Sequence, residues 1–463
     1  MIARIAVLIA CIGLPALAVD SEWTRLSDSC GDFKVIPCAT TLFTDHPFHI
    51  AVGSLAPGNG FAAGPALSFT HHTKPHHIPG PDGDTVTHWR LNIDTDAVLS
   101  SNLSWRAGLY MKARYTKEPP TVVVDSPPPT TGLDLRPKSW LFNTYVQAES
   151  LNTLTYYGIG QDTSRSAVAF YRMRQTIVGG NALIPLWSPL NLSLFGEANG
   201  RFVSLRPDNG ETGPSIEHIY NSVTAPGLGD EKGYAQFGQG VRLAPAFGNH
   251  FSLNYAVTYQ EFISGSQSSF QRLVFDLNHQ FDLYGRAKGK VAPDFNGPNS
   301  CAQTEADKNA ACPKPALSRN LEGSISFRFL MNQSFVNSGN VVPFYFQPTL
   351  GGANINGESL LPSYADYRFR GPTMILYRAS FEHSIGKLPI GFLFMADEGK
   401  VALTPGDVGF NHLAHSFSTG LTVHAGGFPV LSVLFSWGGH EGTHTLAQVS
   451  NSLLGGGGRP SLY

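Results

Sequence analysis

Charge is scarce in this 463-residue sequence: Asp, Glu, Lys and Arg make up 14% of it, against ~25% in an ordinary soluble protein. Such a deficit is typical of a chain with a surface that does not face water. Long apolar runs are missing too. Past the first twenty residues no stretch reaches the ~18 apolar residues of a membrane helix, so a helical span is excluded. The net charge of −2 gives no support for nucleic-acid binding, because phosphates demand a basic surface. No Gly-x-Ser-x-Gly nucleophile elbow, phosphate-cradling glycine loop or EF-hand string occurs. The sequence therefore predicts neither an enzyme nor a cofactor.

What is present starts with a basic Arg4, an apolar run from Ile5 to Leu14, and a small-x-small site at Ala16-Leu17-Ala18. That layout predicts a signal peptide over 1–18 and a mature chain from Val19. A rival reading takes Leu8-Ile9-Ala10-Cys11 as a lipobox, but too few apolar residues precede Cys11 for an ordinary hydrophobic region. Export to an oxidising compartment bears on the other four cysteines, Cys30, Cys38, Cys301 and Cys312. They fall into two close pairs, so disulfides Cys30–Cys38 and Cys301–Cys312 are expected, although four cysteines allow three pairings. Neither pair has the short ligand spacing of a zinc site.

Period-two alternation runs through the rest. Leu103, Trp105, Ala107, Leu109, Met111 and Ala113 interleave with Ser104, Arg106, Gly108, Tyr110, Lys112 and Arg114. Phe251 to Gln260, Arg272 to Leu283 and Ser324 to Phe329 repeat the pattern. Each reads as a long strand with one greasy and one polar face. In a soluble sandwich the greasy face fills a core; in a transmembrane barrel it meets lipid and the polar face lines a wet lumen. Long strands, turn-rich connections and aromatics expected near strand ends (Trp89, Trp140, Tyr145, Tyr156, Tyr157, Trp437) favour an all-β transmembrane antiparallel barrel. Residues 117–138, with Pro127-Pro128-Pro129, and 285–319 read as loops. No linker divides the chain, so 19–44 is read as a short periplasmic lead-in and 45–463 as one barrel.

Several stretches, in order, resemble the short BamA/TamA-type bacterial surface antigens. Gly58 to Pro65 is similar to that family's glycine-rich opening strand, and Tyr156-Tyr157-Gly158-Ile159-Gly160 with Asp162-Thr163-Ser164 to its recurrent turn. Val342-Pro343-Phe344-Tyr345 through Leu350-Gly351-Gly352 resembles the approach to an inward-folded loop. Tyr367-Arg368-Phe369-Arg370-Gly371 and Met395-Ala396-Asp397-Glu398-Gly399 resemble the loop exit and the strand after it. The likeness covers roughly 45–463. It implies a 16-stranded barrel in the bacterial outer membrane, with lipid and lipopolysaccharide around it. It further implies a part in protein insertion or translocation, with client polypeptides as partners, in a form without POTRA domains and monomeric. Leu360-Leu361-Pro362-Ser363-Tyr364 aligns with the family's Leu-Arg-Gly-Tyr, so Leu361 stands where the family has arginine. A lumen lock is implied in which Arg368 or Arg370 reaches Asp397, with Gly371 and Gly399 beside them. A porin-like channel and a soluble exported binding protein are the competing functions.

Two further clusters carry no chemistry in this reading. His440-Glu441-Gly442-Thr443-His444 matches the zinc-protease string, but that chemistry needs a helix, and Gly438, Gly439 and Gly442 break one. His71, His72, His76, His77 and His88 crowd a Pro/Gly-rich stretch expected to be a solvated loop between the first two strands. No metal is expected at either.

Overall fold

The computed structural model describes residues 47–79, 85–118, 122–124, 139–210, 212–230, 233–248, 250–265, 267–284, 289–291, 323–386, 390–425, 428–439, 441–449 and 459–462. The expected signal peptide, the lead-in through 44, and Cys11, Cys30, Cys38, Cys301 and Cys312 lie outside them.

Among the described residues, sixteen main strands follow one another in the chain. The first eight are β1 (Phe48–Ser54), β2 (Phe61–His72), β3 (Thr85–Ser100), β4 (Trp105–Glu118), β5 (Leu141–Tyr156), β6 (Ala169–Trp187), β7 (Leu192–Pro207) and β8 (Gly233–Leu243). The rest are β9 (Phe251–Ser264), β10 (Phe270–Asp282), β11 (Gly323–Phe335), β12 (Thr373–Ser384), β13 (Ile390–Ala402), β14 (Ala414–Ala425), β15 (Phe428–Trp437) and β16 (His444–Val449). Each pairs antiparallel with the next, and the short pieces His76–Ile78 and Ala246–Phe247 complete one 18-stranded sheet. Among the described residues no pairing joins β1 to β16.

Alternation decides which way each strand faces. On β8, Phe237 and Val241 are exposed while Tyr234 and Gln236 are buried. On β15, Val433 and Phe435 are exposed and Leu434 and Ser436 buried. The same holds for Leu109 and Met111, Phe142 and Val146, Phe392 and Phe394, and Phe417 and Leu421, all exposed. A soluble monomer rarely exposes a continuous apolar patch above a few hundred Å². Here exposed apolar side chains recur at the outward phase of strand after strand around the sheet. The fold is therefore a transmembrane antiparallel β-barrel, greasy outside and polar within.

The sheet wraps around one connection, residues 336–372 between β11 and β12. That loop touches the β1–β2 hairpin, where Tyr367 donates to Pro57 O at 3.2 Å. It also touches β16, where His444 Nδ1 lies 3.1 Å from Pro362 O. Between these extremes Phe346 packs against Tyr234 of β8, Phe262 of β9 and Phe270 of β10. First and last strands thus converge on the same loop.

Several expectations change. Gly58 and Gly60 sit in the turn before β2, so the glycine-rich stretch opens the second strand and β1 precedes it. Tyr145, Tyr156 and Tyr157 are buried in the lumen rather than girdling the membrane. Tyr145 and Tyr156 take inward positions on β5, where Tyr145 donates to Glu197 and Tyr156 to Thr224 O, and Tyr157 lies just past the strand end. Outer aromatic clusters do form elsewhere: Trp89 with Tyr115 and Phe142, Trp140 with Phe142, and Phe417 with Trp437. The histidine stretch is largely strand, with His71 and His72 ending β2, His76 and His77 paired to β3, and His88 on β3 itself.

A wrapped sheet whose backbone groups are paired across strands resists detergent. Protein extracted in mild detergent is expected to migrate faster on an unheated gel than after boiling. Identical mobility in both lanes would contradict this fold.

Candidate functional site

From 342 to 371 most residues of the inward loop are buried. Its entrance is a 3-10 turn, Phe344–Phe346, with all three rings buried. Phe344 packs on Tyr156 and Tyr171 with ring centroids 5.0 and 5.2 Å apart. Phe346 meets Tyr234 edge-on at 4.9 Å. Cations from the loop and the wall hold the carbonyls of this turn: Arg370 Nη1 donates to Phe344 O, and Arg272 Nη2 to Phe346 O. Aromatic pairs of this kind add ~0.5–1.5 kcal/mol each beyond their buried area.

Deeper in, Thr349–Leu350 pairs antiparallel with Phe369–Arg370 to close a neck. Gly351 and Gly352 follow with φ of +103° and +55°. A Cβ at Gly351 would lie 2.4 Å from Arg368 Cβ, so only glycine turns the chain here. Beyond the neck, Leu350, Leu360, Leu361, Tyr364 and Phe369 form a second core with Met374, Leu376 and Val401 of the wall. Gly399 admits that core, because a Cβ there would lie 3.0 Å from Leu350 Cδ1.

Charge fixes the loop tip to the wall. Arg378 on β12 makes a bidentate pair with Asp397 on β13, both contacts 2.7 Å. The same guanidinium donates to the loop carbonyl of Ser359 at 2.6 Å, and Asp397 Oδ2 accepts the loop N–H of Leu361 at 3.1 Å. One strand over, Arg328 on β11 binds Asp276 of β10 at 2.7 and 2.8 Å and the loop carboxylate Glu358 at 2.5 Å. In register Arg328 lies opposite Arg378, and Arg378 opposite Asp397. Two arginines side by side are thus neutralised by two wall carboxylates and one from the loop. Bidentate geometry makes such pairs both strong and directional.

The expected partners of Asp397 are elsewhere. Arg368 reaches the neighbouring loops, binding Glu441 at 2.5 Å and Thr163 Oγ1 at 2.7 Å, between the rings of Tyr157 and Phe369. Arg370 serves Phe344 O, its own carbonyl accepts from Gly160 N at 2.7 Å, and Gly371 leads out of the neck. The reason is register. In the β12–β13 pairing Asp397 meets Arg378, while Arg368 and Arg370 precede β12 altogether. Glu382 on β12 accepts from Thr422 Oγ1 at 2.8 Å. Sequence reading missed Arg378 and Arg328, and a signal existed. Arg328 is the lone charge of β11 and Arg378 stands mid-strand on β12, where a lipid-facing arginine costs ~2–4 kcal/mol.

Leu361, standing where the resembled family has arginine, takes a left-handed backbone with φ +56° and is fully buried. That conformation is costly for a branched side chain. Here it aims the Leu361 N–H at Asp397 while the side chain fills the second core. The zinc-protease string does not act as a unit: Glu441 pairs with Arg368, His444 opens β16, and His440 lies outside the described residues.

No protein-family model matches the sequence, and no curated protein sequence matches it. The fold is similar to CdiB from Acinetobacter baumannii, with a TM-score of 0.44 and 10% identity over 86% of this chain and 58% of that one. It is similar to BamA from Haemophilus ducreyi lacking POTRA domains 1-3, with a TM-score of 0.40 and 9% identity over 89% of this chain and 76% of that one. It is also similar to the alcaligin outer membrane receptor FauA from Bordetella pertussis, with a TM-score of 0.29 and 12% identity over 86% and 61% of the two chains. The chain thus spans little more than half of the Acinetobacter CdiB chain.

Removing one partner of a buried ion pair strands the other and costs ~3–5 kcal/mol. Arg378→Ala and Asp397→Ala are each expected to lower the melting temperature and expose the loop to protease. Arg370→Ala leaves Asp397 paired and should leave the loop tip protected. Cleavage at the tip in Arg370→Ala but not in Asp397→Ala would show a different lock.

Acid should act through Glu358. Burial pushes its carboxyl up, but Arg328, helped by Arg378 and Asn354, outweighs that and holds it below the usual range. A carboxylate with a depressed folded pKa stabilises fully above its unfolded value of ~4.3, and that contribution is lost as pH falls through the folded value. Asp366, raised by burial, has the opposite sign and loses nothing on acidification. Protease sensitivity of the loop is therefore expected to rise below about pH 4, and Glu358→Gln should flatten that step. An unchanged acid profile in Glu358→Gln would refute the assignment.

Proposed function

We propose that this chain is an outer-membrane barrel with a plugged lumen that takes part in inserting or moving polypeptides, rather than a constitutive diffusion channel. The observation that carries this reading is the inward loop, clamped across the lumen by Arg378, Asp397, Arg328 and Glu358. An open pore for small solutes needs an unobstructed wet passage, whereas this lumen holds two packed apolar clusters. The polypeptide-handling part rests on the resemblance of the 342–371 and 395–399 stretches to the surface-antigen family. On this reading the outer surface contacts lipid and lipopolysaccharide, the protein is a monomer, and its partners are unfolded client polypeptides.

The test is reconstitution. In planar bilayers the intact protein is expected to conduct weakly, and Asp397→Ala to conduct more. In liposomes it is expected to speed insertion of a urea-unfolded barrel protein over protein-free vesicles. A large steady conductance without any effect on insertion would favour the porin reading instead.

A further inference from the structure

Beyond β16 the chain is described again at Arg459–Leu462, and these four residues lie in the lumen. Arg459 Nη2 binds Asp96 of β3 at 2.8 Å, and its guanidinium stands 5.6 Å from the ring centroid of Tyr110 on β4. Pro460 is buried. Asn356, at the tip of the inward loop, clasps the next two residues: its Nδ2 donates to Ser461 Oγ at 3.2 Å, and its Oδ1 accepts the Leu462 N–H at 2.8 Å. Leu462 joins the apolar cluster that includes Tyr110, Tyr145 and Ile355.

The wall around Arg459 is built for a cation. Asp96 Oδ2 already accepts Arg106 Nη2 at 2.9 Å, and the side chain of Asp96 is 2% exposed. Glu149 faces Arg106 across the β4–β5 pair, and its buried Oε1 has no hydrogen-bond partner. Asp96 and Glu149 thus flank Arg106, with Arg201 of β7 also near Glu149, and Arg459 adds a guanidinium that binds Asp96 directly. The Tyr110 ring adds a cation–π face, its hydroxyl turned away to Gln147 Oε1 at 2.9 Å. A carboxylate, an aromatic face and a side-chain amide reading backbone and hydroxyl together define a short peptide site.

We infer that the lumen faces of β3 and β4, with Asn356 of the loop, form a binding site for an extended arginine-bearing peptide, and that this chain's own Arg459–Leu462 is its resident ligand. The segment is a tethered second plug, and it ties the tip of the inward loop to the opposite wall. This rests on the lumen geometry and is independent of whether the barrel handles polypeptides or solutes.

The experiment compares the intact protein with a variant lacking 459–463, both checked for heat-modifiable mobility, using a fluorescent Arg-Pro-Ser-Leu-Tyr peptide. The truncated barrel is expected to bind the peptide saturably. The intact barrel should bind it far more weakly, because the tethered segment competes at high effective concentration. Changing the peptide's arginine to glutamine should weaken binding roughly tenfold or more, as for loss of one partner of a buried charge pair. In the intact chain, Asn356→Cys with Ser461→Cys should form a disulfide in the membrane. No saturable binding by the truncated barrel, equal affinity for the glutamine peptide, or no crosslink would each overturn the proposal.

Discussion

A charge on a membrane strand has one tolerable direction, inward, and once inside it needs a partner. That constraint organises this molecule. The strands β10 to β13 carry Asp276, Arg328, Arg378 and Asp397 across four neighbours, and none can face lipid. Paired among themselves they leave hydrogen-bonding capacity over, and the inward loop supplies the Ser359 carbonyl, the Leu361 N–H and the Glu358 carboxylate to meet it. The wall and the loop are each incomplete alone.

Apolar packing then adds bulk to what charge has positioned. The aromatic turn at Phe344–Phe346 fills the lumen beside β5, β6 and β8–β10, and the leucine-rich tip fills it beside β11–β14. Glycines at 351, 352 and 399 allow the backbone and wall to approach closely enough for both cores to form. Cations bridge the two regimes, since Arg272 and Arg370 hold carbonyls while lying near aromatic rings. The result is a lumen closed by its own chain at several independent points.

Much of the fold was legible, because period-two alternation states both strand and facing. Phe237 and Val241 outward with Gln236 inward is the pattern in its simplest form. The loop was legible only through resemblance, as its irregular backbone has no period to read. The lock was half legible: Asp397 stands out in an apolar strand, but finding its partner requires the hairpin register, which carries Arg378 opposite it. Tyr145 and Tyr156 misled because an aromatic near a strand end reads alike whether it faces the lumen or the interface. The lumen position of Arg459–Leu462 could not be read, since no local pattern says that a segment beyond the last strand returns to Asp96.

The central claim is that loop and wall are held together inside the barrel. It is tested most directly by placing cysteines at Ser363 and Ser416, where the Ser363 N–H donates to Ser416 Oγ at 2.9 Å. Mass spectrometry of the doubly substituted protein, taken from native membranes without reduction, should recover the two positions as one disulfide-linked peptide pair. Recovery of both as free thiols, labelled by a membrane-impermeant maleimide, would place the loop outside the lumen and contradict the account.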